Sequence, residues 1–482
     1  MRSYTELFIG GSWRPPADGR TVDVRSPSSE QVIGRVPDGS AADVDAAVEA
    51  ARRAFDDGPW RGLAAAERAA AVAQLVKVVR TRSEEFLDVV VDDVGSPRRW
   101  ARIGQIATAL GVFRAYRTIG AEFPLEQTRT GLLGNEVRVR QLPVGVVAAV
   151  IPWNAPLFTA ALKLAPALLA GCTVVLKPAP DAPLTAFLLG EAAAEAGLPP
   201  GVLNVVSAGP KASEHLVAHP GVDKVSFTGS TAVGRRIGEI CGRDIRRCTL
   251  ELGGKAAALL LDDVVLDDTV VGMLAGGAMA GSGQICMAQS RVLVPRSRYA
   301  EIVDALGDAV AALRVGDPAD ESTDLGPLIT AAARTRVEGH VRDALAEGAL
   351  VVTGGRRPPG QDSGWYLEPT LLRDVEPAAR IAREEVFGPV AVLIPYDSED
   401  DAIAIANGTD YGLSGSVWTA DVERGEAVAA RMVAGSVAVN SAAPVDLLSP
   451  FGGVRRSGIG REGGPEGLAA YLESQTIVLP AT

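Results

Sequence analysis

The chain is 482 residues long, 47% apolar, 22% charged and 5% aromatic, and carries a formal net charge of -12. That length exceeds what one ordinary core organises and predicts two or three domains, while the acidic balance argues against a nucleic-acid or anionic-membrane surface. The most apolar stretch, 144–176, is interrupted by Pro152, Asn154, Pro156, Lys163 and Pro166 and reads as buried α/β core rather than a membrane span.

Up to about Ala121, Ala-rich runs such as 41–56 and 64–94 repeat apolar residues at helical spacing, with Ser40 as an N-cap, and predict a helical layer. Residues 122–142 change character. Gly131 and Gly134-Asn135 are turn formers and Glu136-Val137-Arg138-Val139-Arg140 alternates, which predicts a half-exposed hairpin arm. From Val144 the pattern becomes strand 144–151, helix 157–169, strand 173–176, helix 184–196, strand 202–206 and strand 224–227. Such alternation points to a doubly wound sheet. Further strands are predicted at 256–261, 290–294, 390–394 and 436–440, with helices at 298–313 and 401–406 and loops at 356–364 and 451–453. Residues 475–480 read as a terminal strand which, with the hairpin, suggests exchange with a partner subunit.

Within this frame a few residues could carry chemistry. Gly229 and Gly234 hold the first and last places of a G-x-G-x-x-G turn whose middle place is Thr231. The N–H groups of a following helix, with the Ser230 hydroxyl, suit a pyrophosphate, although a plain βα turn would look alike. Glu251 lies 22 residues after Gly229, in Glu-Leu-Gly-Gly-Lys, where it could bind a ribose or face a reacting group. Cys286 sits among small residues in 280–291, either as a small core residue or as a sulfur delivered into a cleft. His215 and His219 are spaced i, i+4 on a predicted surface helix with no third metal ligand nearby, and His340 lies in a polar helix; all three read as structural or solvent-facing, and no metal is expected. The four cysteines match no zinc pattern and favour a reducing, cytoplasmic setting, and the N-terminus holds no signal-peptide run.

Five motifs in order, Pro152-Trp153-Asn154-Ala155-Pro156, Glu251-Leu252-Gly253-Gly254-Lys255, Gly283-Gln284-Ile285-Cys286, Glu385-Val386-Phe387-Gly388-Pro389 and Pro450-Phe451-Gly452-Gly453, resemble those of the NAD(P)-dependent aldehyde dehydrogenase superfamily along nearly the whole chain. The resemblance implies an α/β fold with a Rossmann-type cofactor domain (1–121 and 143–252), an α/β catalytic domain (253–464) and a small β oligomerisation element (122–142 and 465–482). It implies Cys286 as nucleophile, Asn154 with the Cys286 N–H as oxyanion donors, and Glu251 as general base that activates water against a thioester. For the cofactor, NAD with NADP possible, it implies Ile151, Trp153, Lys177, Gly229, Ser230, Val233, Gly253, Glu385 and Phe387.

A small aldehyde would be the substrate and a homodimer or homotetramer the assembly. Residues that would line the substrate tunnel, Ala155, Phe158, Thr159, Leu162, Ile285, Met287, Val445 and Phe451, offer neither an aromatic cage nor an arginine, which favours a neutral aldehyde. Three positions depart from the family pattern. Pro180 stands where many NAD-preferring relatives have a glutamate, which leaves NADP use open, Gly281 where relatives have Asn, and Arg455 where they have Lys. A CoA-acylating semialdehyde dehydrogenase would lack Glu251, and a non-catalytic descendant would have lost Cys286, Asn154 or Glu251.

Overall fold

The structure, a computed structural model, describes residues 2–480. Its largest sheet has eight strands in the order Gly458–Ile459, Arg247–Glu251, Lys224–Thr228, Val146–Val150, Thr173–Lys177, Leu203–Val205, Leu7–Ile9 and Ser12–Arg14. The central five run parallel and the flanking strands antiparallel. Val146–Val150 is buried throughout, as its unbroken apolar composition requires of a strand covered on both faces. The chain leaves this strand toward one edge and later returns to its other side. The crevice beyond the carboxyl ends at such a reversal is where open α/β sheets bind ligands.

A second sheet takes the order Leu350–Thr353, Thr370–Arg373, Val390–Tyr396, Arg291–Pro295, Ala257–Leu260, Ser414–Trp418 and Ser436–Val439, antiparallel only at its first pair. The two-residue period of its central strand sends Ala257 and Leu259 into one apolar cluster and Ala258 and Leu260 into the other. A third, three-stranded sheet joins Leu472–Val478 to the hairpin Glu126–Thr130 and Glu136–Pro143, with Leu472 opposite Pro143 and Val478 opposite Val137. Among the described residues, no helix is long and apolar enough to cross a membrane.

Two expectations are corrected. The N-terminal region is not simply a helical layer, because it opens with the strands Leu7–Ile9, Ser12–Arg14, Thr21–Arg25 and Val32–Pro37. These are three to six residues long, and the first pair is closed by Gly10 and Gly11 at φ of 65° and 79°, so periodicity had little to act on. The run 64–94 divides at Arg82 (φ -96°, ψ 18°) into helices Ala65–Thr81 and Ser83–Val94. Ser40 caps the helix Ala41–Asp56 in a reciprocal capping box with Asp43.

Candidate active site

The carboxyl ends of four neighbouring strands of the large sheet deliver most of the singled-out residues to one edge. Val146–Val150 leads into Ile151, Trp153 and Asn154, Thr173–Lys177 ends on Lys177, Lys224–Thr228 leads into Gly229 and Ser230, and Arg247–Glu251 ends on Glu251. The segment around Cys286 comes from between Asp268–Met279 and the strand Arg291–Pro295 of the second sheet.

That segment needs an unusual backbone. Gly281, Ser282 and Gly283 all lie in the left-handed region, at φ of 58°, 58° and 67°. Glycine meets this without strain at two places, and the Ser282 hydroxyl donates to the Gly326 carbonyl at 2.9 Å. A tight turn from Ile285 to Ala288, closed at 3.0 Å, then presents Cys286. The Asn154 Nδ2 donates to the Gln284 carbonyl at 2.7 Å, so the asparagine is tied to the segment two residues before the sulfur. Burial pushes the Cys286 thiol up to about 12, the negative charges of Glu385 and Glu251 add to this, and the backbone N–H groups of Met287 and Cys286 oppose it. The sulfur is therefore protonated at neutral pH, and its reaction as a nucleophile needs a nearby base.

Glu251 is 4% exposed and neither carboxylate oxygen has a hydrogen-bond partner among the described residues. Burial, and secondarily the charge of Glu462, hold its proton affinity well above the usual carboxylate range, against Lys163 and Arg461. Glu462 is itself tied down, since the fully buried Lys163 ammonium donates to its Oε1 at 2.6 Å and to the Thr228 hydroxyl at 2.7 Å. Gly452, at φ 151°, runs so close that a β-carbon there would lie 2.5 Å from Glu251 Oε1. The arrangement holds a proton-accepting group free of commitments beside a thiol.

The other carboxylate, Glu385, accepts from the Gly254 N–H at 3.1 Å, and a side chain at Gly253 would collide with it. Burial pushes it up to about 7, opposed by that N–H and by Lys255 and Arg336. Phe387, itself at φ 53°, meets Trp153 edge-on with centroids 5.5 Å apart. Ser230 caps the helix Thr231–Arg243, accepting from the Val233 N–H at 3.4 Å. The Gly229 backbone passes so near the Phe227 ring that a β-carbon would sit 2.5 Å from it. Lys177 is brought down to about 8 by burial, with Asp181 opposing the shift. A helix N-terminus for a phosphate, a lysine, an anchored carboxylate and an aromatic face make a cradle that fits a dinucleotide. Asp181 directly follows Pro180, and burial raises the proton affinity of its carboxyl while the charge of Lys177 opposes the shift.

Ala155, Phe158, Thr159 and Leu162 share one face at and beyond the start of the helix Pro156–Ala170, while Ile285 and Met287 flank Cys286. Three groups escape sequence reasoning: Lys163, Glu462 and Gln105. The signal for Lys163 was its place as the one charged residue of an otherwise almost entirely apolar helix. Gln105, in the π-helical segment Arg102–Ala107, donates from Nε2 to the Asn154 carbonyl at 2.9 Å. Arg455, in the left-handed region at φ 54°, donates to the carbonyls of Asn407 and Thr409, and Gly281 admits the Trp100 indole, so neither departure touches the thiol.

The histidines require a correction. His219 is the C-cap of the helix Pro210–Ala218, and a third ligand does stand nearby, because Asp45 of the helix Ala41–Asp56 lies against both rings. Sequence distance hid it. His340 is buried.

Residues 13–477 match the model of the aldehyde dehydrogenase family. The chain is 43% identical over 476 residues to the geranial dehydrogenase of Castellaniella defragrans, covering 99% of each. It is similar to the crystal structure of Mycobacterium tuberculosis aldehyde dehydrogenase complexed with NAD+, at a TM-score of 0.97 and 46% identity over 99% of this chain and 98% of that one. A mutant of aldehyde dehydrogenase C from Pseudomonas syringae in complex with NAD+ and octanal aligns at a TM-score of 0.95 and 38% identity, over 99% and 98%.

Proposed function

The chain belongs to the aldehyde dehydrogenase family, an oxidoreductase acting on aldehydes with NAD, and on that premise we propose that it converts a neutral, apolar aldehyde to its carboxylic acid through Cys286. The observation that carries the reading is the unpartnered, buried Glu251 whose charge reaches a thiol held protonated. Glu251 takes the thiol proton, and the sulfur attacks the aldehyde carbon to form a thiohemiacetal. The Cys286 N–H and an N–H of the Asn154 amide steady the oxyanion. An amide suits that place because it donates without a proton to lose. NAD held in the cleft would supply the acceptor for the hydride that leaves the thiohemiacetal carbon. Once the proton taken from the thiol has passed to solvent, the Glu251 carboxylate deprotonates a water, which attacks the resulting thioester, expels the Cys286 thiolate and frees the acid.

Ile151, Trp153, Lys177, Gly229, Ser230, Val233, Gly253, Glu385 and Phe387 would hold the cofactor. The NAD+ complexes of the two solved relatives support NAD as the cofactor. The apolar character of the eight tunnel positions, together with a geranial-oxidising relative and one crystallised with octanal, supports an aliphatic or terpenoid aldehyde. The free carboxylate of Glu251 favours water over coenzyme A as acyl acceptor.

The division into a cofactor domain (1–121 and 143–252), a catalytic domain (253–464) and an oligomerisation element (122–142 and 465–482) is part of this proposal, as are the cytoplasmic setting and a homodimer or homotetramer. Strand Glu126–Thr130 is exposed at every residue and leaves a free sheet edge, which supports pairing between subunits. A panel of aldehydes scored by kcat/KM with each cofactor tests the reading. Medium-chain aliphatic and terpenoid aldehydes with NAD should lead it, and a lead by betaine aldehyde, or acyl-CoA formation on adding CoA, would overturn it.

A further inference from the structure

Between the helices Ala41–Asp56 and Pro210–Ala218, three side chains meet that the proposed reaction does not use. Asp45 rises from the helix Ala41–Asp56, and His215 and His219 come from the last turn and C-cap of Pro210–Ala218. Asp45 Oδ1 lies 2.6 Å from His215 Nε2 and 3.3 Å from His219 Nε2, and the three ligand atoms all fall within 4.8 Å of one another. The rings stand nearly perpendicular, at 85° with centroids 5.6 Å apart, so that both Nε2 atoms face the carboxylate.

We infer that Asp45, His215 and His219 form a binding site for a borderline divalent transition ion such as zinc, with water as the fourth ligand. Two imidazoles and a carboxylate are a donor set that such ions take. Tetrahedral zinc with bonds of about 2.0 Å holds its ligand atoms about 3.3 Å apart, which the Asp45–His219 pair at 3.3 Å already matches and the Asp45–His215 pair reaches from 2.6 Å by opening about 0.7 Å. The side chains are partly exposed, 40% for His215, 16% for His219 and 45% for Asp45, which leaves room for entry and for water. The nearest cation, Arg246, is committed to the backbone carbonyls of Val217 and His219.

One contact must change. The Gly221 N–H donates to His219 Nδ1 at 3.0 Å, so His219 now carries its proton on Nε2, facing Asp45. Metal on Nε2 requires the proton on Nδ1 instead. The turn His219-Pro220-Gly221-Val222, closed at 3.0 Å with Gly221 outside the left-handed region, allows this. Flipping its central peptide gives the type II form, for which glycine at the third place is suited, and turns the Pro220 carbonyl to accept from Nδ1–H.

The site would clamp one helix to another rather than enter the reaction. Its test is cobalt(II) titration of the full chain, followed by visible absorption, equilibrium dialysis and thermal melting. One equivalent should bind with ligand-field bands, no sulfur-to-cobalt charge-transfer band and a raised melting temperature. Asp45→Ala and His215→Ala should each weaken binding at least tenfold while melting like the parent in EDTA, and Cys286→Ser should leave binding intact. Affinity unchanged in both histidine-site variants, loss of binding in Cys286→Ser, or no binding at micromolar cobalt would overturn the inference. Should Asp45→Ala melt early in EDTA, the exposed His215→Ala decides alone.

Discussion

Glu251 is buried and Glu385 half-buried, and the fold treats the two carboxylates in opposite ways. Glu385 is anchored, with one oxygen on the Gly254 N–H and opposite charge from Lys255 and Arg336 around it. Glu251 has no hydrogen-bond partner among the described residues, and Glu462 adds its charge to the effect of burial. A held carboxylate positions a ligand, whereas an uncommitted one with raised proton affinity exchanges protons. The same chemistry therefore serves two ends, and the surroundings choose between them.

The largest expected effect comes from removing the sulfur itself. Cys286→Ser should lower aldehyde-dependent NADH formation by about 10⁴-fold or more with folding unchanged, and adding Glu251→Gln to it should cost nothing further. A sizeable additional loss would mean that Glu251 acts elsewhere. Next, Glu251→Gln alone should lower kcat by roughly 10²–10⁴-fold while the NAD dissociation constant, read by fluorescence titration, stays put. An acyl-enzyme should accumulate, visible by mass spectrometry of the quenched protein. Glu385→Gln should divide the other way. Its amide oxygen still accepts from Gly254, so the loss is of charge, and NAD affinity should weaken by about tenfold with kcat little changed. If Glu385→Gln abolishes turnover and Glu251→Gln merely weakens NAD, the contrast is reversed. The subtlest variant is Glu462→Gln. Removing that charge eases ionisation of Glu251, so the acidic limb of the kcat–pH profile should move to lower pH, and an unmoved limb would uncouple the two acids.

How much was legible before folding depended on whether a feature was local. The alternation of strands and helices from 144 onward could be read because each run carries its own period, and the structure reproduces it within a residue or two. The short N-terminal strands could not, since they exist by pairing: Phe8 lies opposite Val205, far along the chain. Lys163 showed as an anomaly in an apolar helix but not as the partner of Glu462, 299 residues away. Asp45 gave no sign of belonging with His215, 170 residues later.

Sequence by itself determined the residue types on which the proposed chemistry rests, Cys286, Asn154, Glu251 and Glu385, and the strand ends and glycine turns that carry them, because propensity and motif spacing are properties of neighbouring residues. Only the tertiary structure decided which acid is anchored and which is free. Burial, charge and hydrogen-bond partners come from segments hundreds of residues apart, and these set the difference between two glutamates that look alike in the chain.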